Sequence, residues 1–143
     1  MRNDDHTSYL SSFLESVQSN YNNEKNYKMK PLDYNIIKKF NKLYPTLNRV
    51  RMTEECKGLA LLDGTNLVGI INVDTNRDYI VSLEVFGPYK RKGISHILLD
   101  IATKKLNAKY LSVRKTNTIA INLYKNNNWK IYDEDNYMYY MKK

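Results

Sequence analysis

Apolar positions change their spacing repeatedly along the 143 residues, and each change marks an element. Over 8–18, Tyr9, Leu10, Phe13, Leu14 and Val17 recur with the period of an amphipathic helix. The polar, aperiodic run 20–26 reads as a linker. A short strand follows over 27–33 and is ended by Pro31. Asp33 is then placed to cap a helix carrying Ile36, Ile37, Phe40 and Leu43. Pro45 and Thr46 break that helix and open a second short one running to Glu55. Apolar runs over 58–64 and 67–74 flank Asp63-Gly64-Thr65-Asn66, strong turn chemistry that predicts a hairpin. Another antiparallel strand spans 79–86 after a turn at 75–78.

The period then lengthens. Ile94, Ile97, Leu98, Ile101 and Ala102 share one helical stripe. Residues 110–114 read as a strand, and the helical crossover before it makes it parallel to 79–86. A short helix over 119–126 and a hairpin of 129–132 with 137–141 complete the chain. Residues 1–25 thus form a helical extension and linker, and 26–143 the core domain. The extension helix either covers the core or mediates contact in a homodimer.

With 42% hydrophobic residues, this length supports one sizeable core and one domain. No apolar run is long enough to span a membrane, and the first residues are too polar for a signal peptide, so a cytoplasmic protein is expected. Cys56 has no partner for an intrachain disulfide, and with His6 and His96 it offers no metal-site spacing; no metal is expected. The net charge of +8 is uneven: acidic and basic side chains balance over 1–87, and the whole excess lies in 88–143. That field suits a phosphorylated ligand or a nucleic acid alike.

Between the strand over 79–86 and the helix beginning at Ile94 lies a basic loop containing Lys90, Arg91, Lys92 and Gly93. Glycine permits close backbone approach, and the unpaired N–H groups of a helix start attract an anion, so the loop is a candidate pyrophosphate seat. Lys90-Arg91-Lys92-Gly93-Ile94-Ser95, together with Asn117, Ala120, Leu123 and Tyr124 ahead of Asn128-Trp129, resembles the two motifs of the GCN5-related N-acetyltransferase (GNAT) family. Lysine replaces the first Gln or Arg, Ser95 replaces a Gly or Ala, and Asn128-Trp129 replaces Gly-Phe. Serine is still small, and asparagine tolerates a left-handed helix terminus best after glycine.

The resemblance implies an α/β fold: a mixed, mostly antiparallel sheet of six to seven strands flanked by helices, with two parallel strands splaying apart to form a cofactor cleft. It implies acetyl-CoA as co-substrate and an amine as acceptor, whether a small amine, a protein N-terminus, a lysine or an aminoacyl-tRNA. Leu83 and Val85 would pair with pantetheine, Arg91, Lys92, Gly93, Ile94 and Ser95 would receive the pyrophosphate, and Asn117 would meet the cofactor nearby. Tyr124 takes the position that faces the departing thiolate. Its free pKa near 10 against about 8.5 for a thiol makes full proton donation uphill by about 2 kcal/mol, favouring a hydrogen bond.

Glu84 is the sole carboxylate in its apolar strand. Alternation sets it with Ser82, opposite Leu83 and Val85, as a candidate general base or else an exposed or lysine-paired carboxylate. Tyr132, Tyr137, Tyr139 and Tyr140 either shape an acceptor pocket or fill a half-buried strand face. Two other readings stand beside the transferase: a nucleic-acid-binding module and a catalytically idle CoA-binding protein.

Overall fold

A computed structural model describes residues 27–50, 52–90 and 93–143; the helix expected over 8–18 and its linker lie outside the described residues. The strands are β1 (Lys28–Pro31), β2 (Cys56–Asp63), β3 (Asn66–Asp74), β4 (Tyr79–Val85), β5 (Tyr110–Arg114), β6 (Lys130–Glu134) and β7 (Met138–Lys142). They form one mixed sheet in the order β1-β2-β3-β4-β5-β7-β6, antiparallel throughout except where β5 runs parallel to β4. That exception follows from the crossover through a helix between them. The helices are α1 (Tyr34–Phe40), α2 (Ile94–Lys104) and α3 (Thr118–Asn126).

Asp33 caps α1, its carboxylate accepting the Ile36 N–H at 3.0 Å. The helix stops at Phe40, so Leu43, expected on its apolar stripe, is 73% exposed instead. The second helix expected to reach Glu55 is only a 3-10 turn, Pro45–Arg49, because Val50 is extended at ψ 124°. That turn still anchors the chain, since Leu47 is wholly buried.

Each face of the sheet has its own core. On one, α2 and α3 pack Ile94, Leu98, Leu99, Ile101 and Ile121 against Leu59, Ile71, Val73 and Leu111. On the other, α1 and the 3-10 turn cover Ala60, Leu62, Leu67 and Ile70. A fully buried side chain of this size stabilises by about 1.5–3 kcal/mol, so these layers fix where the strand ends lie.

A register shift in β4 decides which side chains face which layer. Asn72 lies opposite Ser82 but Val73 opposite Ile80, which leaves Val81 as an extra residue, a β-bulge. Strict alternation would put Ile80 on the face of Ser82 and Glu84. The bulge shifts the phase, so Ile80 joins Leu83 and Val85 against the α2/α3 layer, while Phe86 packs in the α1 layer. A bulge also bends its strand, and this one sits just beyond the only registered β4–β5 pair, Tyr79 opposite Tyr110.

Candidate active site

Beyond that single pair β4 and β5 diverge, and between them opens a cleft of about 1160 Å³. One wall is β4 with the 3-10 turn Pro45–Arg49; the other is β5, the start of α3, and Met138. Phe86 donates its N–H to the Val68 carbonyl on β3 at 2.8 Å. By alternation Glu84 also turns its backbone groups to β3, and those of Leu83 and Val85 point into the gap. A β-strand edge with unpaired donors and acceptors suits an extended ligand rich in amides.

At one end of the cleft the chain makes a 3-10 turn, Gly87–Tyr89, and passes through Lys90 to Gly93. Arg91 and Lys92, expected in the pyrophosphate seat, lie outside the described residues. Gly93 adopts φ +78° and precedes α2, a conformation that strains any residue with a Cβ. The first helical hydrogen bond of α2 runs from Ile97 N–H to Gly93 C=O, leaving the N–H groups of Ile94, Ser95 and His96 for another acceptor. Ile94 buries its side chain in the core, so only its backbone is available, whereas Ser95 lines the cleft. The loop is pinned from behind by a bond that sequence spacing hides: Tyr89 donates its hydroxyl to Asp63 at 2.9 Å. That hydrogen bond raises the phenol pKa above its ordinary value.

Across the gap, Asn117 begins α3 and accepts the Ala120 N–H at 3.2 Å. Its carbonyl oxygen is therefore a helix cap, which leaves the amide NH₂ as the part that can meet a ligand. The helix ends as the asparagine substitution predicts, with Asn128 left-handed at φ 69°. Asn128 donates to the Lys125 carbonyl and Trp129 to the Tyr124 carbonyl, the paired bonds of a Schellman motif. The hydrophobic contact that usually accompanies this motif is Trp129 against Tyr124, ring centroids 6.3 Å apart. Tyr124 is thus clamped where it both joins the core and lines the cleft. Burial pushes its pKa up to about 12, and among the described residues its hydroxyl has no hydrogen-bond partner.

Glu84 lines the same cleft and accepts a hydrogen bond from the Thr46 hydroxyl at 2.7 Å. It is therefore partnered by a hydroxyl, and no lysine pairs with it among the described residues. Thr46 had no signal in the sequence, since 38 positions separate the two. His96 lies with Nδ1 3.2 Å from Asn127 Nδ2, tying the start of α2 to the end of α3. Of the C-terminal tyrosines, Tyr139 packs on the core while Tyr132 and Tyr137 are exposed, so the cleft takes Met138 from that hairpin.

A mixed sheet opened between its two parallel strands, with a left-handed glycine at the head of the gap and a buried phenol lining it, defines a cleft-bearing α/β fold. The model of the acetyltransferase (GNAT) family matches residues 12–129, and the chain belongs to that family. The match begins inside the segment expected to be an extension. Among solved structures the chain is similar to the ribosomal-protein-S18-alanine N-acetyltransferase of Escherichia coli, at 15% identity and TM-score 0.67, covering 80% of this chain and 91% of that one. It is also similar to the Thermoplasma acidophilum PaiA N-acetyltransferase in complex with coenzyme A, at 15% identity and TM-score 0.65, covering 82% and 98%. The Campylobacter jejuni N-acetyltransferase PseH in complex with acetyl coenzyme A aligns at 22% identity and TM-score 0.55, over 80% and 96%. At these identities the likeness is one of fold.

Proposed function

We propose that the protein is an acetyl-CoA-dependent N-acetyltransferase that passes the acetyl group directly from the thioester to an amine, with residues 26–143 as the catalytic unit. The observation that carries this reading is the parting of β4 from β5 after one registered pair, which leaves the edge groups of Leu83 and Val85 facing a cleft. The pantetheine arm takes the place of the missing strand partner. Val85 N–H then stabilises the oxyanion that develops on the thioester carbonyl. Arg91, Lys92 and the N–H groups from Gly93 to Ser95 receive the pyrophosphate, and Asn117 donates its amide to the cofactor.

Glu84 accepts the proton of the incoming amine, directly or through a water, while Thr46 holds one of its oxygens. Tyr124 meets the departing thiolate. With its pKa pushed to about 12, giving up the proton to a thiolate of about 8.5 is uphill by roughly 5 kcal/mol, so it acts as a hydrogen-bond donor. No described helix is long and apolar enough to cross a membrane, and the proposed setting is cytoplasmic, where a lone thiol such as Cys56 stays reduced.

The test is thiol release from acetyl-CoA across a panel of small amines, peptides and charged tRNA, with acetyl-CoA binding followed by calorimetry. Turnover with one acceptor class, reduced in Tyr124→Phe and Glu84→Gln, is expected. Tight acetyl-CoA binding with no turnover of any acceptor would leave a cofactor-binding protein, and no binding at all would end the transferase reading.

A further inference from the structure

We infer that the acceptor is the N-terminus of an extended polypeptide with acidic side chains beside its reacting residue, read by Arg49 and Arg114. This rests on the transferase reading above. Both arginines line the cleft, one on each wall, and among the described residues neither forms an ion pair. Among the described lining residues Glu84 is the only carboxylate and is held by Thr46, whereas Lys90 adds a third cation near the loop. A polycationic acceptor would meet like charge there; a carboxylate would meet two guanidinium forks suited to bidentate binding.

The lips of the cleft are apolar and open. Leu43 and Ile119, on opposite walls, are 73% and 74% exposed. An acceptor no larger than a simple amine would leave both in water. An extended chain crossing the lips covers them and delivers side-chain carboxylates to the arginines. A terminal α-amine, with a pKa of roughly 7.7–8.0, is neutral at pH 7 hundreds of times more often than a lysine near 10.4. With a single carboxylate base, that difference favours the terminus.

The experiment compares kcat/KM for peptides beginning Ala-Asp-Glu and Ala-Lys-Arg, an N-terminally blocked peptide with an internal lysine, and spermidine. The acidic peptide is expected to lead the basic one by about 10-fold or more. Arg49→Glu with Arg114→Glu should abolish or invert that order, and Leu43→Ser with Ile119→Ser should raise KM for the peptide. Acetyl-CoA affinity, measured by calorimetry on each variant, separates acceptor effects from damage to the cofactor side. A lead for spermidine, the basic peptide or the blocked peptide overturns the inference, as does an order unmoved by charge reversal. A protein that binds acetyl-CoA yet acetylates no peptide overturns it alone, whereas failure to bind acetyl-CoA overturns the transferase reading beneath it.

Discussion

The two edges of β4 are made of the same seven residues and behave oppositely. Toward β3 the strand is paired from Tyr79 opposite Asp74 to Val85 opposite Gly69. Toward β5 it is paired once. The closed edge is sealed so tightly that a Cβ on Gly69 would lie 2.8 Å from the Glu84 carbonyl oxygen and 3.1 Å from Leu98 Cδ1. The open edge is bordered by side chains with chemistry, Tyr124 and Glu84 among them. A strand can thus be structural on one side and a binding surface on the other, with the backbone supplying both.

The strongest way to break this contrast is to remove chemistry from the open edge alone. Tyr124→Phe and Glu84→Gln should each slow turnover by roughly 10²- to 10⁴-fold while the melting temperature below pH 9 changes little. Stopped-assay kcat values check this, and unchanged rates in both would strip the open edge of its catalytic role.

Tyr124 also makes a stability prediction. Its folded-state pKa of about 12 exceeds the ordinary value of 10.0, with burial as the cause. Below pH 10 the group adds nothing to the pH dependence. Between pH 10 and about 12 the unfolded chain releases a proton that the folded chain keeps, so stability falls as pH rises, by roughly 2–3 kcal/mol. Denaturant titrations at pH 9 and 12 should show a fall smaller by that amount in Tyr124→Phe.

Smaller effects sharpen the comparison between edges. Gly69→Ala overpacks the closed edge and should cost about 1–3 kcal/mol of stability. Gly93→Ala meets no atom of the described residues within 4 Å, so its cost is the roughly 1–2 kcal/mol of a left-handed Cβ, read chiefly as weaker acetyl-CoA binding by calorimetry. Thr46→Val removes one hydroxyl donor from Glu84 and should lower kcat/KM by about 2- to 10-fold, with Thr46→Ser retaining most of the rate.

Local signals were legible because they are written in adjacent residues. The strand over 110–114, the Asp33 cap, the hairpin at Gly64 and the left-handed Asn128 all appear where sequence chemistry put them. Glu84 does oppose Leu83 and Val85, as alternation required. What alternation could not show was the bulge at Val81, because a strand that shifts phase looks like an uninterrupted apolar run. The helix expected to continue to Glu55 fails for a related reason: its positions had no periodic pattern, and tertiary burial of Leu47 rather than propensity shapes the turn. Long-range partners such as Thr46 with Glu84 and Tyr89 with Asp63 leave no trace in spacing at all.

Val81, the extra residue in β4, is the position between Tyr79 and Glu84 that has no partner on β3, so its contribution is to the strand's course rather than to its pairing. Deleting Val81 would bring Ile80 next to Ser82, the neighbours that already stand opposite Val73 and Asn72, so every later side chain would keep its face. Glu84 would stay beside Thr46 and Leu83 against the α2 layer, while the bend that turns β4 away from β5 would be lost. A Val81 deletion should therefore fold with its core intact and yet draw the two walls of the cleft together.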